Sequence, residues 1–358
     1  MSTRRIVIVG AGLAGARVAE TLRARGFDGR VVVVGDEPVG PYERPALSKG
    51  FLAGARDRAG MLLRAPSFWA SQEIDLRLGE RVVAIDHRRR IATTSRGRIR
   101  WDSLVLATGA RPRRPPSAPL AGVLTLRTMA DAEVLRRALV PGARLAVVGG
   151  GFVGTEVAST AAALGVEVTI LEAGPAPLAR VLGEEVGALL ADRIRAHGVE
   201  LWTDVRVTSI ERGRDGRGVT VAVADGRRLP ADVALLAVGV DPDRDLVPPV
   251  PVEGVYACGD VAGIGHWTSA AHGGVATAHA ILGLELPPPQ PRYVWSDQFG
   301  LRLQLVGEPQ QGSRVELDGR ENEFSAGYRS PDGRLVAALA ANRPQEVARL
   351  RRELRLAA

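Results

Sequence analysis

Two stretches of the chain repeat one pattern of apolar and polar positions. Each opens with a β-branched run that has no polar break, passes through a glycine cluster into an alanine-rich stretch, and closes with a second apolar run. They are residues 6–35 (IVIVGAGLAGARVAETLRARGFDGRVVVVG) and 145–173 (LAVVGGGFVGTEVASTAAALGVEVTILEA). An unbroken apolar run bounded by turn residues predicts a strand covered on both faces. Each stretch has the length of a βαβ unit, roughly 30 residues. The duplication predicts two nucleotide sites.

Residues 101–109 (WDSLVLATG) predict a buried strand ending in a turn, and the Pro/Arg-rich stretch from Arg111 to Pro119 reads as a linker. A second apolar run, 233–240 (VALLAVGV), is followed by the Pro-rich stretch 242–251 and then by 254–260 (GVYACGD). The chain therefore leaves a first domain near residue 112 and returns to it near 241. After a helical stretch, His272 to Leu284, the prolines 287–289 and Pro291 mark another boundary. From Tyr293 to Leu339 short alternating strands are separated by turn signals such as Pro331-Asp332-Gly333, and a helix from Gln345 to Leu356 follows. Its Arg349, Arg351, Arg352 and Arg355 read as a solvated face. The expected fold class is α/β, with two Rossmann-like dinucleotide-binding domains and a small α+β C-terminal domain. Residues 1–112 and 241–286 form the first, 113–240 the second and 287–358 the third.

Length and composition agree with this reading: 358 residues suggest two or three domains, and 46% apolar residues with 42 Gly and 23 Pro suit an α/β chain with many glycine turns. The net charge of +7 would attract acidic partners. Lys49 is the only lysine, and a genomic preference for arginine gives the same bias. The single cysteine, Cys258, excludes an internal disulfide and a dithiol redox centre, and points to a reducing, cytoplasmic compartment. No apolar run approaches the ~18 residues of a membrane span. Arg4-Arg5 ahead of a short apolar run reads as the start of a first strand rather than a twin-arginine signal.

In Gly10-Ala11-Gly12-Leu13-Ala14-Gly15 the first glycine permits a tight turn, the second lets a pyrophosphate approach the backbone, and the third lets helix pack on strand. Asp36 and Glu37 end the following strand, where an acid accepts hydrogen bonds from a ribose. The second motif, Gly149-Gly150-Gly151-Phe152-Val153-Gly154, is completed by Glu172. That acid accepts from a free 2′-hydroxyl and repels a 2′-phosphate. Unit charges about 4 Å apart at an effective dielectric near 20 interact by roughly 4 kcal/mol, close to a thousandfold in affinity, which predicts NADH over NADPH. His266, His272 and His279 lack the spacing and the acidic neighbours of a metal site, so none is expected.

The order of these motifs, with Ala107-Thr108-Gly109 between the two glycine turns and Ala257-Cys258-Gly259-Asp260 after them, resembles the two-dinucleotide-domain flavoprotein reductases. Residues 41–49 (PYERPALSK) and 295–298 (WSDQ) are similar to the ferredoxin reductases of Rieske-type oxygenases and to the putidaredoxin and rubredoxin reductases. The resemblance spans essentially the whole chain. It implies a glutathione-reductase-like fold: an FAD domain, an inserted NAD domain and a C-terminal interface domain. It implies that Gly10, Gly12, Gly15 and Asp36 hold the ADP half of FAD, with Arg44 and Lys49 beside the flavin and its phosphates and Asp260 on the ribityl chain. Val82, Thr108 and Arg127 match further FAD positions, and Ala14, Gly109, Gly239 and Gly259 are further expected cofactor-binding residues. Gly149, Gly151, Gly154 and Glu172 fall to the nicotinamide dinucleotide.

Lys49 and Glu156 match a pair that the family places near flavin N5, where a cation favours the anionic reduced ring and burial requires its counter-charge. Trp295 matches an aromatic near the flavin on the partner's side, shielding the ring, shortening an electron path or simply packing. Two departures stand out. Residues 247–254 are shorter than the family pattern, and Thr268, Ala270 and His272 stand where the family carries Glu, an aromatic or Val, and Asn. Ala270 is still expected to offer its backbone to the flavin pyrimidine.

The function implied is an NADH-dependent reductase passing electrons through FAD to a small, acidic iron-sulfur ferredoxin that serves an oxygenase, as a monomer or homodimer. An NADH oxidase or diaphorase, and a non-enzymatic flavin-bearing binding protein, are the alternatives. The arginines are scattered and lack interleaved aromatics, which argues against a nucleic-acid surface.

Overall fold

A computed structural model of the chain describes residues 4–115, 121–213, 216–263, 265–320 and 322–356. The chain packs as two compact units. One comprises Met1–Glu43, Asp57–Arg111 and Asp241–Gln290, the other Arg44–Arg56, Pro112–Val240 and Pro291–Ala358.

In the first unit the apolar runs form a five-stranded parallel sheet in the spatial order Val255–Ala257, Ser103–Leu106, Arg5–Val9, Arg30–Gly35, Ile74–Leu78. Side chains of a strand point alternately to the two faces, and here both faces are covered. Ile6, Ile8, Val31, Val33 and Val105 pack with Ala16, Ala19 and Leu22 of the helix Leu13–Ala24 and with Ala278 and Ile281 of the helix Trp267–Leu282. Val7, Val9, Val32, Val34, Leu104 and Leu106 pack with Val82, Ala92 and Ile99 of an antiparallel sheet formed by Val82–Asp86, Ile91–Thr94 and Gly97–Arg100. Two-sided burial is why the central stretches Ile6–Val9, Val31–Val34 and Leu104–Leu106 carry no polar residue.

The second unit repeats the plan. Its parallel sheet runs Glu200–Trp202, Glu167–Leu171, Arg144–Val148, Val233–Leu236, Val123–Leu124. Leu145, Val147, Ile170 and Leu235 meet Val157, Ala158 and Ala161 of the helix Phe152–Ala163. Ala146, Val148, Leu171 and Leu236 meet the antiparallel strands Val207–Arg212 and Val219–Val223. The same unit holds a five-stranded antiparallel sheet ordered Tyr293–Gln298, Leu301–Gly307, Leu335–Ala341, Glu323–Arg329, Arg314–Arg320. One face packs on Leu182, Val186 and Leu190, the latter two from the helix Glu184–Ala196, and the other on Val347, Leu350 and Leu354 of the helix Pro344–Leu356.

The α/β class and the small C-terminal sheet module are as expected, with local differences. The helix expected from His272 begins at Trp267, because the small residues 268–271 continue a helix without giving it an apolar period. The run from Val233 ends as a strand at Leu236, ahead of the turn at Gly239, whose φ is 102°. Arg351 is not merely solvated: its guanidinium lies 4.1 Å from the centroid of the Tyr293 ring. Residues 116–119 of the linker and the Arg355 side chain lie outside what is described. Among the described residues no helix is long and apolar enough to cross a membrane.

Candidate functional site

The two glycine motifs fold into matching turns, one in each unit, at the C-terminal end of the central strand, where a doubly wound sheet reverses its strand order. Gly10 has φ 114° and Gly149 has φ 105°, a left-handed region that favours glycine. A Cβ at Gly10 would strike the carbonyl oxygen of Ala107, and one at Gly149 that of Ala237, each at the end of the neighbouring strand. Gly15 and Gly154 let the helix rest on the turn, since a Cβ there would strike the carbonyl oxygens of Gly10 and Gly149.

The middle glycines differ. A Cβ at Gly12 or Gly151 meets nothing within 4 Å. These two residues cap the helices Leu13–Ala24 and Phe152–Ala163, with no side-chain capping bond and no acid in the first turn. Backbone N–H groups of a first helical turn lack intrahelical partners and suit an anion. Open space over the cap and a positive, acid-free turn fit the pyrophosphate of a dinucleotide in both places.

Glu172 follows the strand Glu167–Leu171, and its carboxylate accepts from Gly150 N at 2.6 Å and from Gly174 N at 2.7 Å. Each carboxylate oxygen has two acceptor sites, so the anchored carboxylate keeps one on each oxygen for a ribose. In the first unit Asp36 is exposed at the end of its strand, while Glu37 accepts the Tyr42 hydroxyl at 2.7 Å.

The other candidate residues of the first unit stand around its turn. A Cβ at Gly259 would come 2.9 Å from that of Ala14, so a short helical turn, Gly259–Ala262, carries Asp260 to the start of the first helix. Thr108 donates its hydroxyl to Asp243 O at 2.7 Å, and Gly109 O accepts from Asp243 N at 2.9 Å, tying this loop to the returning chain. Val82 is buried in the core. The Ala270 amide donates to His266 O at 2.8 Å at the start of its helix.

In the second unit Lys49 and Glu156 meet: Nζ lies 2.6 Å from Oε2, with the side chains 18% and 7% exposed. Lys49 also donates to Pro45 O at 3.0 Å. Glu156 further accepts the Ser48 hydroxyl on Oε2 at 2.5 Å and the Ser296 hydroxyl on Oε1 at 2.6 Å. Further hydrogen bonds help to offset the cost of burying a charge pair, and each Glu156 carboxylate oxygen receives one from a serine hydroxyl. Sequence reasoning missed Ser48 and Ser296. Both lie inside the quoted motifs, but nothing in the spacing says that they converge on one carboxylate.

Arg44 donates to Arg127 O at 2.6 Å. Gly239 O accepts from Arg113 N at 2.9 Å. Trp295 lies beside Tyr293, ring centroids 6.0 Å apart and 26° between planes. Strand alternation puts it on the sheet face opposite Ser296, away from the carboxylate cluster. Cys258 is buried, and desolvation pushes its thiol up to about 11, which disfavours a reactive thiolate.

Two dinucleotide-type turns, each on its own parallel sheet, with a half-buried lysine paired to a buried glutamate beside the second, define an oxidoreductase architecture. The chain belongs to the pyridine nucleotide-disulphide oxidoreductase family, which it matches over residues 4–274, and residues 293–357 match the reductase C-terminal family. It is 36% identical to the ferredoxin–NAD(+) reductase component of the biphenyl dioxygenase system of Paraburkholderia xenovorans, covering 95% of this chain and 90% of that one. It is 35% identical to putidaredoxin reductase of Pseudomonas putida, covering 95% of this chain and 89% of that one. Among solved structures it is similar to the covalent putidaredoxin reductase–putidaredoxin complex, with TM-score 0.92, 33% identity, and 99% of this chain and 93% of that one covered.

Proposed function

We infer that this protein is an FAD-dependent NADH:ferredoxin reductase that feeds an oxygenase system. The observation that carries the reading is the pair of built dinucleotide turns, in a chain similar along its length to such reductases. The Gly12 turn holds the pyrophosphate of FAD and the Gly151 turn that of NADH. Glu172 accepts from the nicotinamide dinucleotide's adenosine ribose. Lys49, ion-paired with Glu156, sits at the flavin ring on the nicotinamide side, where its charge favours the reduced ring. Bound FAD supplies the conversion of a two-electron hydride into single electrons.

Cys258 is the only thiol and is buried, so no internal disulfide relays electrons and they leave from the flavin to an external acceptor. That acceptor is a small iron-sulfur ferredoxin, and the net charge of +7 suits an acidic one. The reading is tested by extracting and identifying the bound flavin, then titrating the purified protein with NADH under anaerobic conditions. Bleaching of the flavin band at a stoichiometric amount of NADH is expected. A protein that binds no FAD, or whose FAD is untouched by NADH, overturns it.

A further inference from the structure

Glu156 is where three segments of the second unit meet. It stands on the helix Phe152–Ala163, whose first turn is the second dinucleotide cap. One turn on, Ser159 Oγ accepts from Phe299 N at 2.7 Å and Thr160 donates its hydroxyl to Ser48 O at 2.7 Å. Residues three and four apart share a helix face, so Glu156, Ser159 and Thr160 form one polar stripe. That stripe grips the Lys49 segment on one side and the hairpin Tyr293–Gln298/Leu301–Gly307 on the other. The hairpin turns at Phe299 and Gly300, with φ 49° and 75°. Phe299 is buried in the core, which fixes the end of the strand that carries Ser296 and Gln298.

The hydrogen bonds in this cluster have only one consistent direction. An ionised carboxylate only accepts, so both serine hydroxyls donate to Glu156. The Ser296 oxygen is then left to accept, and Gln298 Nε2 donates to it at 3.0 Å. Ser296 and Gln298 are 0% and 3% exposed, and Gln298 Oε1 has no hydrogen-bond partner among the described residues. A buried amide that leaves its oxygen unpaired is costly. What the position secures is the donor side, aimed at Ser296.

We propose that Ser296 and Gln298 of the C-terminal module are positioning residues for the Lys49 ammonium and act on it through Glu156. Gln298 orients the Ser296 hydroxyl, Ser296 fixes one carboxylate oxygen, and the other oxygen, steadied by Ser48, aims Lys49. The C-terminal sheet thus helps to set the charge at the reacting end of the nicotinamide site. The inference rests on the placement of Lys49 beside the flavin.

Lys49 is the only lysine, so protein labelled with [15N-ζ]lysine gives one side-chain signal that reads its environment without turnover. In the FAD-loaded protein, Ser296→Ala should move that signal and speed its exchange with water, and Ser296→Thr should restore it. Losing one hydrogen bond to a charged group predicts flavin reduction by NADH about 10-fold slower in stopped flow. The NADH dissociation constant from the same traces should change less than about twofold if only positioning is lost. In a Lys49→Met background, Ser296→Ala should add nothing, because interacting residues are non-additive.

An unmoved lysine signal in Ser296→Ala, or a rate loss that adds in full on Lys49→Met, overturns the proposal. If Ser296→Ala does not fold, Gln298→Met carries the same test: a moved signal supports the proposal and an unmoved one overturns it. If Lys49→Met itself reduces as fast as wild type, the placement of Lys49 at the flavin is wrong, and the proposal falls with it.

Discussion

At the scale of single residues, Gly12 and Gly151 separate folding from ligand binding. Their φ values, −83° and −79°, are open to any residue, and a Cβ meets nothing in the protein. Alanine at either cap should therefore cost under about 1 kcal/mol of stability. Gly12→Ala should nevertheless weaken FAD, and Gly151→Ala NADH, by about tenfold or more, since about 1.4 kcal/mol of lost contact suffices. Flavin retention and NADH titration, set beside thermal melts, check this; unchanged affinities would mean that no phosphate approaches these caps. Glu172 carries a second prediction. Its carboxylate is held by Gly150 and Gly174, and if a ribose stands there, kcat/KM for NADH should exceed that for NADPH by about two to three orders of magnitude. Equal values would refute the assignment. The glycine turns and Glu172 were legible in the sequence because their chemistry is local: strand, turn and helix are contiguous. Ser48 and Ser296 were not, because they reach Glu156 across 108 and 140 residues.

At the scale of elements, the hydrophobic pattern revealed both parallel sheets, because strands buried on two faces leave an unbroken apolar run. It was less informative about grouping. Residues 44–56 pack in the second unit, with Leu52 in the core of its parallel sheet, and neither composition nor a linker marks that. The C-terminal sheet lies in the same unit, and its Leu303, 1% exposed, belongs to the core cluster that holds Val186 and Leu190 of the helix Glu184–Ala196. Leu303→Ala should destabilise the protein by about 2–5 kcal/mol, as a large-to-small core change does. Because the same hairpin carries Ser296, flavin reduction should slow as well. Chemical denaturation and stopped flow on one preparation check both. A variant with full stability would show that this sheet does not support the helix.

At the scale of the whole molecule, an arginine-rich chain of net charge +7 meets its acceptor through long-range attraction if that acceptor is acidic. The apparent second-order rate of ferredoxin reduction should then fall as salt rises, since the Debye length shortens from about 10 Å at 0.1 M ionic strength to about 3 Å at 1 M. A ferredoxin-dependent rate indifferent to salt would leave the activity standing and reduce the charge to compositional bias. The central claim, that electrons from NADH leave this flavoprotein for a ferredoxin, is tested most directly by following NADH-driven cytochrome c reduction with and without a ferredoxin encoded in the same genome, while oxygen uptake is recorded. The account predicts little cytochrome c reduction without ferredoxin, a rate that rises with added ferredoxin and saturates, and slow oxygen uptake throughout. Rapid oxygen uptake, with a cytochrome c rate that no ferredoxin raises, would contradict it.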